Sequence, residues 1–121
     1  MSDYEAPEAY VCDHPKARKD HKCCECRGVI KVGEVYNRHH GIWDGEPDSY
    51  KVCSDCDFLR VRLGKLLKEH DPWEEPPPFE GLSDAIFEEN LFEKEFIDIK
   101  RKRGAVIPDW MEQWIADTET P

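Results

Sequence analysis

The chain has 121 residues and 14.2 kDa, with 27 acidic against 17 basic side chains, a net charge of −10, six cysteines and nine prolines. That length holds one domain, or a small module with an appendage. A mean hydropathy of −0.78, with no apolar run near the roughly 18 residues of a membrane-spanning helix, predicts a soluble chain, and a pI near 4.9 speaks against generic duplex binding, because phosphates are met by Lys and Arg.

Met1 to Tyr10 carries Asp3, Glu5 and Glu8 and no base, unlike the positive region and apolar stretch of a secretory signal. The expected compartment is therefore the cytoplasm, where reduced thiols serve as metal ligands more readily than as disulfides. Cys23 and Cys26 form one C-x-x-C pair, and Cys53 and Cys56 form a second. Two such pairs supply four soft thiolates, the donor set of one structural Zn2+ with no open position. Gly28 lets a knuckle turn its amides toward sulfur, and Gly33-Glu34 supplies a turn before the strand-like Val35–His39. Gly41 and Gly45 bracket Ile42-Trp43-Asp44, which is read as a turn with an exposed Trp43 offered as a contact.

After the second pair, Leu59, Leu63, Leu66 and Leu67 fall on one helical face, with Cys53 and Cys56 at the helix start, where the dipole favours thiolates. Knuckle, hairpin and helix in that order predict an α+β, treble-clef-like zinc module over residues 1–71. Cys12 and Cys24 are surplus. Cys12 lies near His14 and His21, but the spacing favours a small apolar filler over a second metal site, and Cys24 is a neighbour of the first. Lys22, Arg27 and Lys51 flank the ligands, either solvated or offsetting the −2 charge of a four-thiolate zinc site.

On Ala17–Cys26, Ile30–Tyr36, Gly41–Gly45 and Lys51–Cys56, the chain resembles short zinc-finger proteins encoded by bacteriophages and prophages. The resemblance spans about residues 16–63 and implies the same ligand set and a viral or prophage origin. It carries no activity. A weaker similarity is to HNH endonucleases, which combine two C-x-x-C pairs with an intervening His pair, here His39-His40. In those enzymes a His activates water, an Asn braces the loop, and a His or Asn after the last Cys binds magnesium. Here Pro47–Val52 has no Asn and Asp57 follows Cys56, so the expectation is a protein without catalytic activity, a divergent metal-dependent nuclease being an alternative. A nucleic-acid-binding finger is another, with Arg60, Arg62, Lys65 and Lys68 on the helix, although Asp55, Asp57 and Glu69 dilute that patch.

Asp71–Pro78 contains three consecutive prolines and marks a linker over residues 72–79, leaving an acidic helical appendage over 80–121. Residues 72–121 hold 13 acids and five bases, most of the chain's net charge. Ser83 is expected to cap one helix from Asp84 to about Lys100, with acids early and Lys100–Arg103 at its end, as the helix dipole prefers. Its apolar residues, Ile86, Phe87, Leu91, Phe92, Phe96, Ile97 and Ile99, outnumber what one stripe needs. A second helix is predicted at Asp109–Ile115, with capping-box spacing of Asp109 and Glu112. Such aromatic helices are expected to dock on the zinc module. Glu88, Glu89, Glu93 and Glu95, with Trp43, are the candidate partner-binding residues. Interleaved carboxylates and aromatics suit a basic protein groove that normally holds nucleic acid. Joined to the phage resemblance, this predicts an inhibitor or modulator of a host nucleic-acid-handling protein, such as a defence nuclease, acting as a DNA mimic.

Overall fold

The computed structural model describes residues 9–73 and 77–119. Asp3, Glu5 and Glu8, and Glu74, Glu75 and Pro76 of the linker, lie outside them. Five strands, β1 (Ala9–Asp13), β2 (His21–Lys22), β3 (Val29–Ile30), β4 (Asn37–Trp43) and β5 (Glu46–Val52), precede four helices, α1 (Ser54–His70), α2 (Leu82–Glu89), α3 (Glu93–Lys102) and α4 (Asp109–Glu119). The architecture is mixed α+β: a small sheet region around a cysteine cluster, followed by helices.

β1, β4 and β5 form an antiparallel sheet in that order, and β2 pairs with β3 as a separate ribbon. Cys12, His39 and Tyr50 lie directly opposite one another across the three-stranded sheet, which puts them on one face. The β4–β5 turn is Asp44-Gly45, both with positive φ (52° and 77°), as a two-residue hairpin with right-handed strand twist requires. The turn expected at Ile42-Trp43-Asp44 is therefore displaced: Ile42 and Trp43 pair in β4 with Pro47 and Glu46. Trp43 is half-buried, edge-on to Tyr10, Tyr50 and Phe79, and not the freely exposed ring expected.

In α1, Cys56, Leu59, Leu63 and Leu67 are buried at helical spacing, while Leu66 remains 37% exposed, so the apolar stripe is narrower than the leucines suggested. Cys53 is the N-cap, and its Sγ accepts from the Cys56 amide at 3.4 Å.

The single helix expected over 84–100 is two. Asn90 and Phe92 both adopt left-handed backbone conformations, and the Leu91 amide closes α2 onto the Ile86 carbonyl at 3.1 Å. Asn tolerates that conformation better than other non-glycine residues. The break accounts for the surplus of apolar residues: α2 buries Leu82 and Ile86, and α3 buries Phe96 and Ile97, all in one cluster. The cap at Ser83 is also corrected. The N-cap of α2 is Gly81, which offers no side chain, and the Leu82 amide donates instead to Glu25 Oε1 at 3.3 Å.

α4 lies where predicted. Met111 and Ile115 are buried, and Trp110 and Trp114 meet Phe87 edge-on at 4.7 and 6.1 Å between ring centres. Leu82, Ile86, Phe96, Ile97, Met111 and Ile115 belong to the same apolar cluster as Ile30, Val52, Leu63 and the four paired cysteines. The helical segment thus docks on the cysteine-bearing half. Each fully buried large side chain there contributes about 1.5–3 kcal/mol, several times an exposed ion pair, so this layer is part of the core.

Candidate metal centre

Cys23 and Cys26 sit on the turn between β2 and β3. The Cys23 amide donates to the Gly28 carbonyl at 2.9 Å, the Arg27 amide donates to the Cys23 carbonyl at 3.0 Å, and Arg27 takes a left-handed conformation to close the turn. This geometry aims amides at sulfur: Glu25 N and Cys53 N at Cys23 Sγ (3.4 and 3.3 Å), and Gly28 N at Cys26 Sγ (3.3 Å). The second pair arrives on the first turn of α1. All four cysteines are fully buried and their sulfurs lie within 4.8 Å of one another, with Cys26 and Cys53 Sγ at 4.0 Å.

A tetrahedral zinc with Zn–S bonds of about 2.3 Å needs sulfurs about 3.8 Å apart. The cluster fits such an ion. The four sulfurs are close enough to couple their ionisation: mutual hydrogen bonding pulls the Cys23 thiol below its ordinary value and pushes Cys53 and Cys56 above theirs. Among the described residues this is the only such metal-capable group, and Cys12, His14 and His21 do not assemble another. Burial pushes the half-buried Cys24 thiol up to about 12.

Behind the cluster lie residues that spacing alone did not single out. The Glu25 side chain is fully buried and accepts a 2.6 Å bond from Arg60 Nη1. Burial raises its carboxyl above the usual range, with Arg60 opposing. Arg60 continues to the Pro77 and Pro78 carbonyls at 2.9 and 3.2 Å, and stacks over Phe79 at 4.4 Å. This arginine, offered above as a nucleic-acid contact, is a structural cation. Arg62 lies over Phe92 at 4.7 Å, while Lys65 and Lys68 are exposed.

From α3, Lys100 Nζ donates to the Cys26 carbonyl at 2.8 Å, and burial holds its ammonium below the usual value against the opposing pull of Cys26, Cys56 and Cys23. The Arg103 guanidinium reaches Glu34 Oε2 at 2.5 Å and Asp55 Oδ2 at 3.0 Å, and its carbonyl accepts from the Val29 amide at 2.8 Å. Of the flanking cations expected beside the ligands, Arg27 instead pairs with Glu80 at 3.9 Å on the surface, Lys22 is exposed and Lys51 half-buried.

A Cβ at Gly28 would lie 2.3 Å from Arg103 Cβ. Gly28→Ala is expected to force the first knuckle and α3 apart and to cost about 1–3 kcal/mol in urea unfolding of the metal-loaded protein. A variant as stable as the parent would mean that this close approach has no energetic consequence.

His39 and Asp57 do come together. His39 Nε2 donates to Asp57 Oδ1 at 2.9 Å, Asn37 Nδ2 donates to Asp57 Oδ2 at 2.6 Å, and Tyr10 OH bonds His39 Nδ1. His39 is 7% exposed and lies against Phe79, with ring centres 4.7 Å apart. Asn37, in β4, thus braces the acid where no Asn was available in Pro47–Val52. His40 points to the other face of the sheet, where its Nε2 is 3.9 Å from Asp13 Oδ2 and has no hydrogen-bond partner among the described residues.

Of the candidate partner-binding acids, Glu88, Glu89 and Glu95 are exposed and Glu93 is half-buried; Asp84 and Asp98 join them on the surface. None of these six has an ion-pair partner among the described residues. The bases at the end of α3 turn to other work: Lys100 and Arg103 as above, Arg101 to Glu112 at 3.2 Å and Lys102 to Asp55 at 3.1 Å.

No family model matches the chain, and neither a curated protein nor a solved structure matches it significantly. These comparisons lend no support to a specific family or to a phage origin. The finding that stands is a buried four-cysteine cluster able to chelate a metal ion, typical of zinc-binding modules in general.

Proposed function

We propose that this protein is a non-catalytic binding protein stapled by one structural zinc in a treble-clef-like module, and that its α2–α3 surface engages a basic groove on a nucleic-acid-handling protein, modulating or blocking it. The observation that carries this reading is the separation of charge. Asp84, Glu88, Glu89, Glu95 and Asp98 stand exposed without ion-pair partners among the described residues, while Arg60, Lys100 and Arg103 are drawn inward. An unneutralised acidic surface steers a basic partner and repels nucleic acid itself. The phage resemblance adds a host defence nuclease as the expected kind of target, in the bacterial cytoplasm.

The burial of His39, with both ring nitrogens engaged, favours a binding role over a nuclease, because a general base must reach the substrate. The test is affinity capture from bacterial lysate, followed by association kinetics of the captured protein with the chain carrying Glu88→Lys, Glu89→Lys and Glu95→Lys. Association is expected to slow by about tenfold or more at low salt, and nucleic acid is expected to compete. Equal rates for both chains would overturn the reading.

A further inference from the structure

We propose that α3 is a working part of the metal centre: Lys100 and Arg103 join the ligand-bearing segments to the acidic helices, so that zinc binding and docking of α2–α4 are one equilibrium. The acidic surface is then presented in ordered form only by the metal-loaded chain. This consequence rests on the function proposed above, but the coupling itself is testable without any partner.

Lys100 is 7% exposed, and among the described residues its Nζ has no carboxylate partner; it meets the Cys26 carbonyl at 2.8 Å and the face of Phe96 at 5.6 Å. A buried ammonium without a counter-charge is strongly disfavoured. The carbonyl it meets belongs to Cys26, one of the four buried, clustered cysteines. A zinc ion on four thiolates leaves a net −2, the counter-charge that Lys100 otherwise lacks; four protonated thiols leave none.

Arg103 completes the tie. Its residue is 6% exposed and it spans three segments at once: Val29 beyond the first knuckle by backbone and side chain (2.8 and 3.1 Å), Glu34 in the following loop (2.5 Å), and Asp55 between Cys53 and Cys56 (3.0 Å). Each of these positions moves if the ligands disperse. Linkage is reciprocal, so a group on α3 that stabilises the metal-loaded cluster must itself be held in place by the metal.

The experiment uses the full chain. Zinc affinity is measured by competition with a chromogenic chelator for the parent, Lys100→Met and Lys94→Gln. The methionine keeps an apolar chain of similar length over Phe96, and Lys94 is an exposed residue on the same helix, so it controls for net charge. Lys100→Met is expected to weaken zinc binding 10- to 100-fold and Lys94→Gln less than twofold. In the cobalt-substituted chain the sulfur-to-metal charge-transfer band should shift in Lys100→Met and not in Lys94→Gln, a readout that loosened packing alone would not move.

Hydrogen exchange on the parent needs no variant: on chelation, the amides of Phe96, Arg103 and Met111, which bond Phe92, Ile99 and Pro108, should lose at least tenfold in protection. Lys100→Met binding zinc within twofold of the parent, an unshifted cobalt band, or a chelated chain that keeps α2–α4 protected would overturn the coupling. A parent chain that takes up no zinc would overturn the metal assignment beneath it. A coupling that holds while the charge-reversed chain binds its captured partner normally would remove only the acidic-surface reading.

Discussion

Cys53→Ser is expected to unfold the sheet-and-α1 half of the protein, to release α2–α4 with it and to abolish stoichiometric zinc binding. Structural zinc contributes about 10–16 kcal/mol in small finger modules at neutral pH, as much as or more than the entire net stability of a typical domain. Cys53 carries more than a bond to metal. It caps α1 by accepting from the Cys56 amide, and its own amide donates to Cys23 Sγ at 3.3 Å, tying the second knuckle to the first. A serine can still cap a helix, but it removes the soft thiolate, so the loss measured is chiefly that of the metal. Chelation of the parent protein should reproduce the effect. Thermal unfolding followed by near-ultraviolet circular dichroism, with zinc counted by mass spectrometry, is the check. A chelated protein that keeps its midpoint would show that the apolar core holds the fold unaided.

Arg60→Met is expected to cost about 3–5 kcal/mol, because it strands the Glu25 carboxylate in the interior. The remaining bond to Glu25 is the Leu82 amide at 3.3 Å, too little to solvate a full charge. Burial already raises the Glu25 carboxyl, with the arginine as the largest opposing influence, so removing Arg60 leaves that penalty uncompensated. The double variant Glu25→Gln with Arg60→Met should recover much of the loss, since no buried charge is left and the amide can still accept from Leu82. Urea unfolding of the zinc-loaded chains measures both. A single variant that loses less than 1 kcal/mol would mean the pair contributes no more than an exposed one.

The local features read from the sequence share one property: each depends on residues close in the chain or on a strict spacing. C-x-x-C at 23–26 and 53–56 needs only a turn and a helix start to bring sulfurs together, and the sulfurs do converge. The leucines of α1 and the apolar residues of α4 follow helical periodicity, and both helices lie where that period puts them. The surplus of apolar residues between Ile86 and Ile99 was legible, but its cause was not. Nothing in Glu89–Phe92 is a strong breaker; the chain turns there because two apolar faces must reach one core, and tertiary packing outweighs helix propensity. The Asp44-Gly45 dipeptide was a better hairpin signal than the glycines bracketing Trp43, because a two-residue turn demands positive φ at adjacent positions.

What the sequence by itself determined was the metal-capable ligand set, the order of knuckle, hairpin and helix, and the concentration of acid beyond the prolines, because all three are carried by residue type and spacing along the chain. Only the tertiary structure decided which charges are spent inside. Glu25 meets Arg60 from 35 residues away, Lys100 meets the Cys26 carbonyl from 74, and Arg103 meets Glu34 from 69. No local pattern encodes such pairs. They exist because burying apolar helices α2–α4 against the cysteine-bearing half drags polar side chains inward, and each one that loses water must find a partner already there.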